Sequence, residues 1–285
     1  MRYMFLRFPE GKAKAVTLSY DDGCIHDMRF SDTITKYGLK CTFNLCGSSV
    51  GKSEWSMTAQ QAKEYILDRG HEIAVHGDNH KAPGKQKSVF GIKDVLDCRV
   101  NLENMFDMII RGMAYPDTGI TSYQNGANYE SIRHYLKDLD ILYSRSLAGD
   151  NDKFELPTDW YNWIPTAHHI NPELMNYIDK FNLDYEETHK YIAGRTPNLF
   201  YLWGHSFEFE SNHNWELLEE ICRRLSGKED VWYATNMEIY EYVTAYNSLV
   251  FSADGKRVYN PTLLDIWFET DNVPKMIKSG ETILL

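Results

Sequence analysis

The chain has 285 residues, 43% of them hydrophobic, which is enough to bury a full core and fits one barrel of alternating strands and helices in a single domain. Its 30 Lys and Arg stand against 41 Asp and Glu, a formal net charge of −11 with no basic run, which argues against nucleic acid as a partner. No window approaches the roughly 20 apolar residues of a membrane span. Residues 1–10, charged at Arg2, Arg7 and Glu10, lack the apolar stretch and cleavage site of a secretory signal, so a soluble, cytoplasmic protein with no membrane partner is expected.

In chain order, the apolar run Ala15-Val16-Thr17-Leu18 predicts a buried strand that leads to Asp21-Asp22-Gly23. Neighbouring strand residues face opposite sides, so both carboxylates reach one site only if the backbone turns, which Gly23 permits. One carboxylate is then free to bind a cation while the other handles protons; read alone, the triplet is equally an ordinary turn. Thr58-Ala59-Gln60-Gln61 forms a capping box that opens a helix through Leu67, with Gly70 placed to stop it. A second strand over 71–76 runs into Gly77-Asp78-Asn79-His80 and sets His76 and His80 four residues apart. Two imidazoles at that spacing are often only solvated. Joined to a carboxylate at another strand end, they leave coordination positions open for water and substrate, as a catalytic zinc site does.

Further strands are predicted at 109–115, 141–147, 198–203 and 231–234, with helices at 88–106, 129–139, 215–225 and 237–245. Asp21, Asp22, His76, Tyr115 and His205 fall where strands give way to loops, the end of a parallel barrel that carries active sites. The irregular stretch 149–171, rich in Asp, Asn, Pro and Trp, reads as an ordered loop. Trp160, Trp163 and Trp203 offer flat faces for a sugar ring or for the core. His168 and His169 either meet substrate or lie on the surface, and Glu208 and Glu210 read as solvated.

From residue 248 the pattern changes to short strands, with Ala253-Asp254-Gly255-Lys256 as a hairpin turn between 249–251 and 257–259. The five cysteines, Cys24, Cys41, Cys46, Cys98 and Cys222, include no C-x-x-C pair and are expected to be buried free thiols. The fold class expected is α/β: a single-domain, distorted (β/α) barrel of parallel strands over 1–247, with a short β-rich C-terminal extension at 248–285 packed on the same domain.

The order of these motifs resembles the polysaccharide deacetylases, the NodB homology group of carbohydrate esterase family four. Leu18 to Gly23 looks like their first motif, His76 to His80 their second, Arg111 to Pro116 their third and Leu202-Trp203-Gly204-His205 their last, a span of roughly residues 13 to 210. The resemblance implies that Asp22, His76 and His80 hold a divalent metal, most often Zn2+, and that Asp21 is the base that activates water. It further implies that the Tyr115 backbone N–H receives the oxyanion and that His205 protonates the leaving group. The motifs also depart from the family pattern. Gly77 stands where a Ser or Thr usually braces the second motif, leaving Asp78 or Asn79 to do so. Arg111 lies a few residues farther from its Pro than usual, which makes Arg145 a rival for orienting Asp21, and Asp159 is the candidate for orienting His205.

The reaction expected is metal-dependent hydrolysis of an N- or O-acetyl group on a carbohydrate. The alternatives are an amidase for a small cyclic amide or ureide on the same barrel, a non-catalytic sugar-binding protein, and an iron(II) oxygenase using two His and one carboxylate. Retention of both Asp21 and His205 disfavours the binder, and alternating βα order disfavours the oxygenase.

Overall fold

The computed structural model describes residues 3–147, 149–191 and 194–285. Its centre is a curled, mainly parallel sheet. In chain order the elements are β1 (Met4–Arg7), which lies outside the barrel sheet, then β2 (Lys14–Asp21), α1 (Asp27–Lys36), β3 (Cys41–Leu45), α2 (Ala59–Tyr65), β4 (Glu72–Val75), α3 (Ser88–Phe106), β5 (Gly112–Ala114), α4 (Tyr129–Asp138) and β6 (Tyr143–Arg145). There follow β7 (Ala167–His168), α5 (Leu174–Phe181), α6 (Tyr185–Thr188), β8 (Asn198–Gly204), α7 (Ser206–Ser211), α8 (Trp215–Leu225), β9 (Val231–Tyr233) and α9 (Asn236–Asn247). The strand order is β6-β5-β4-β3-β2-β8-β7. One edge of β2 is shared: residues 14–16 pair with β9 and residues 18–21 with β3, while the other edge pairs with β8.

The 149–171 stretch is the ordered segment that bends the sheet round. Trp163 bridges Arg145 in parallel and exchanges backbone hydrogen bonds with Ser144 and Ser146, and β7 then lies along β8. A distorted barrel results, as the alternating pattern predicts.

Every residue of β2 is buried, because helices cover one face and the barrel interior the other. Val16, Leu18 and Tyr20 join the apolar layer under the helices, where α1 brings Phe30 and Ile34 one turn apart onto Tyr20 and Phe43. Thr17, Ser19 and Asp21 alternate with them and meet a hydrogen-bonded polar column: Thr17 to Asn236 (2.9 Å), Asn44 to Ser19 and to Asp21 (2.8 Å each), and Thr42 to Glu72 (2.8 Å). Such groups are affordable in a core only when paired.

Five further strands follow: β10 (Val250–Phe251), β11 (Arg257–Tyr259), β12 (Ile266–Thr270), β13 (Val273–Ile277) and β14 (Thr282–Leu284). The hairpin around residue 254 pairs β10 with β11 as expected. The chain's first strand, β1, lies antiparallel on β12, so both ends of the chain share a three-stranded sheet. Phe8, Phe268, Ile239 and Tyr242 form a second apolar cluster with Ala15, Leu199 and Tyr201 of the barrel.

The predicted helices at 88–106 and 215–225 coincide with α3 and α8. The helix predicted through Leu67 is split: the Thr58–Gln61 capping box opens α2, and a separate 3-10 turn, Leu67–Arg69, ends at Gly70 with φ 71°. Strand 109–115 shortens to β5, since Ile109 is 74% exposed and lies before the sheet begins. All five cysteines are free and buried. Among the described residues, no helix is long and apolar enough to cross a membrane.

Candidate active site

Asp21 ends β2 inside the barrel, and Asp22 takes the left-handed backbone region at φ 81°, followed by Gly23 at φ 67°. The turn therefore begins one residue earlier than Gly23, and it swings the second carboxylate to the same side as the first. Asp22 Oδ1 lies 3.6 Å from His76 Nε2 and 3.3 Å from His80 Nε2. Ligands about 2.0–2.2 Å from a tetrahedral zinc stand roughly 3.3–3.6 Å from one another, so these three residues fit one ion. His76 Nδ1 lies 2.9 Å from the Ala114 carbonyl, a contact that places the ring proton there and leaves the Nε2 lone pair free. Burial holds His76 below the ordinary histidine range despite both aspartates, again favouring the neutral ring a metal needs. His80, whose side chain is 42% exposed, keeps the outer face open.

Gly77 turns the chain between the two imidazoles at φ 73°, and a Cβ there would meet Asp94 Oδ2 at 2.5 Å. That contact explains the missing Ser or Thr. Bracing comes from Asp94, which accepts the Asn79 backbone N–H at 2.9 Å and its side-chain amide at 3.1 Å, while Asp78 is held by Asn101.

Asp21 is buried. Its Oδ2 receives the Arg145 guanidinium, and its Oδ1 accepts Asn44 Nδ2 at 2.8 Å. Burial pushes this carboxyl upward, but Arg145, His76 and His205 outweigh burial and hold it below the usual range. His205 Nε2 stands 4.0 Å from Asp21 Oδ2, and its Nδ1 lies 3.3 Å from Glu208 Oε2. Although burial lowers its pKa, Glu208, Asp21 and Asp22 together raise His205 above the ordinary value. The Arg145 guanidinium also lies 4.4 Å above the Trp203 ring.

Several expectations are corrected. Arg111 is not at the site: it precedes β5, at the opposite end of the strand from Tyr115, and its guanidinium pairs with Asp140 at 2.5 Å. The Tyr115 N–H donates to the Arg145 carbonyl at 2.9 Å, and its hydroxyl donates to the Tyr161 carbonyl at 2.8 Å, so neither is a free oxyanion donor. Asp159 caps a 3-10 turn, accepting the Tyr161 N–H at 3.0 Å and the Tyr129 hydroxyl at 2.5 Å; Glu208, read as solvated, is the acid on His205. Trp163 is buried at 1% exposure against Tyr143, Trp160 and Tyr201, and Trp160 packs between Trp163 and Tyr240, so both belong to the core. Trp203 supports Arg145, while His168 and His169 converge on Glu208.

Outside Asp22 and His80 opens a cleft of about 490 Å³, lined also by Ser48, Ser49, Asn79 and Trp55. Trp55 is 45% exposed, with the Phe207 ring 5.9 Å away. Trp55 and Asn44 carry no local signal in the sequence, whereas Glu208, three residues after His205 at the start of a helix, does. A separate cavity of about 310 Å³ beneath the 149–171 loop contains none of these site groups.

The family profile described as polysaccharide deacetylase matches residues 9–138. No curated protein sequence matches the chain. Among solved structures, one assigned as a polysaccharide deacetylase from Mycobacterium smegmatis superposes at a TM-score of 0.60 with 17% identity, covering 87% of this chain and 96% of that one. The polysaccharide deacetylase of Bacillus cereus gives 0.48 and 13%, covering 78% and 91%. A family 4 carbohydrate esterase from Streptomyces lividans gives 0.46 and 11%, covering 78% and 93%. Residues 9–138 match the polysaccharide deacetylase family, and the cluster of metal-ligating side chains within them is that of a metal-dependent hydrolase.

Proposed function

We propose that this protein removes acetyl groups from an N- or O-acetylated carbohydrate. The observation that carries the reading is the pairing at the end of β2: Asp22 faces His76 and His80, while Asp21, held by Arg145, faces His205 across the same opening. Asp22, His76 and His80 hold the divalent ion, and their nitrogen and oxygen donors suit Zn2+. When bound, such an ion acidifies water and polarises an acyl carbonyl. Asp21, ionised at neutral pH, takes the proton from the attacking water. His205, whose pKa the three surrounding carboxylates raise, gives its proton to the departing amine or alkoxide, and Glu208 fixes its ring.

The open cleft and the exposed Trp55 ring support a carbohydrate over a small cyclic amide, which a closed pocket would hold better. The catalytic unit spans 1–247, with 248–285 packed on it as one body; the apolar cluster shared by α9, β12 and the barrel supports that packing. Acetate release from a panel of N- and O-acetylated glycans tests the function. Release with one equivalent of Zn2+, and none after chelation, is the expected result. Hydrolysis of a cyclic amide, with no acetate released from any glycan, would replace it with the amidase reading.

A further inference from the structure

The geometry points to a second divalent-metal site, formed by His168 Nε2, His169 Nε2 and Glu208 Oε2 beside His205. β7 ends at His168, and beyond it the chain turns so that two neighbouring imidazoles converge instead of facing apart. Glu208 Oε2 is 3.3 Å from His168 Nε2 and 3.4 Å from His169 Nε2, and all three donor atoms lie within 4.8 Å of one another. The two short separations match the roughly 3.3–3.6 Å edges of a tetrahedral zinc or cobalt site.

A second observation singles out the centre of this cluster. His169 is 1% exposed, yet its Nε2 makes no hydrogen bond, an unusual state for a buried ring nitrogen and one that a cation would relieve. Its other nitrogen lies 3.2 Å from the Tyr20 hydroxyl, and the ring stacks on Phe209 with the centroids 4.2 Å apart. A Cβ on residue 204 would stand 2.0 Å from His169 Nδ1, so Gly204 is what admits the ring. One ring nitrogen anchored and the other left bare is how ligand histidines are commonly held. Access comes from the other side, where the side chains of His168 and Glu208 are 12% and 22% exposed. Two nitrogens and one oxygen favour Zn2+ or Co2+ over Ca2+ or Mg2+.

The two sites should fill in order. At His76 the Ala114 carbonyl already holds the ring proton on Nδ1. At His168 the Ile170 N–H donates to Nδ1 at 3.2 Å, which keeps the proton of a neutral ring on Nε2. An ion must displace that proton and loosen the Ile170 bond, so this site is the weaker. Its occupancy draws off the carboxylate oxygen that holds His205 Nδ1 at 3.3 Å. Excess metal therefore inhibits, a consequence that rests on the acid role proposed for His205.

Metal-free protein titrated with Co2+, following visible absorption and counting bound cobalt after gel filtration, tests the assignment. Wild type should take up two equivalents, the second at least tenfold weaker and inhibitory. Glu208→Gln, an isosteric change, and His169→Ala should each bind one equivalent, and His169→Ala, which leaves Glu208 on His205, should lose the inhibition. His76→Ala should lose the tight equivalent and keep the weak one. A single equivalent in wild type, or two in Glu208→Gln, overturns the second site. Retention of the tight equivalent in His76→Ala refutes instead the metal centre proposed for catalysis.

Discussion

Asp21 and Arg145 are both removed from water, and neither would be tolerated there alone. Burial by itself would raise the Asp21 carboxyl; the guanidinium on Oδ2, with His76 and His205 beyond, reverses the sign. A carboxylate held low stabilises the fold above its unfolded pKa of about 3.9, and that stability is lost as pH falls through the lower folded value. Arg145→Met strands the charge. We expect it to cost about 3–5 kcal/mol at neutral pH in urea denaturation, and to move the acid limb of the pH–rate profile upward because the base now ionises later. An unmoved limb would show that Arg145 does not tune Asp21. At this scale Asp21, Asp22 and His76 were legible because each sits at a strand end beside a turn residue, and His80 because it follows His76 by four residues. Asn44 was not, since it meets Asp21 across a strand pairing that leaves no trace in local spacing.

The elements owe their placement to an alternation in which helix-facing residues are apolar and barrel-facing ones are polar and paired. Cys41-Thr42-Phe43-Asn44-Leu45 has this pattern, so β3 was readable had the interior been taken as polar. β7 was not, because two residues held by pairing to β8 have no periodicity to read. At the start of α1, Asp27 occupies a first-turn position where the helix dipole favours a charged carboxylate. Burial wins nonetheless: only the Ser206 hydroxyl reaches its Oδ1, at 2.5 Å, and desolvation pushes the carboxyl up to about 8. A raised pKa adds stability below the unfolded value near 3.9, and this is lost steadily as pH rises towards 8. Asp27→Asn is therefore expected to gain on wild type by about 1.4 kcal/mol per pH unit at most across that window, measured as the difference in unfolding free energy at pH 5, 6 and 7. A difference independent of pH would mean that Asp27 is ionised in the folded protein.

Across the whole molecule, the two ends of the chain close on each other. Arg7 of β1 and Arg195 both bind Glu269 of β12, with all three side chains at most 5% exposed. Glu269→Gln leaves the buried Arg7 facing an amide, while Arg195 keeps Glu186 at 2.7 Å, and a loss of about 3–5 kcal/mol is expected in chemical denaturation. A loss below 1 kcal/mol would show that the β1–β12 layer is held by its apolar face alone. The general plan of this molecule was legible from alternating elements, whereas the return of β1 to the C-terminal sheet was not, because contacts between the two ends of a chain have no sequence period. All functional conclusions converge on the mouth of the barrel, at the three ligands that β2 and the loop after β4 bring together. The most direct measurement is anomalous X-ray scattering from crystals of the zinc-loaded protein, collected on both sides of the zinc edge. The strongest peak is expected among Asp22 Oδ1, His76 Nε2 and His80 Nε2, about 2.0–2.2 Å from each. A zinc-loaded crystal with no peak at those three atoms would contradict the account.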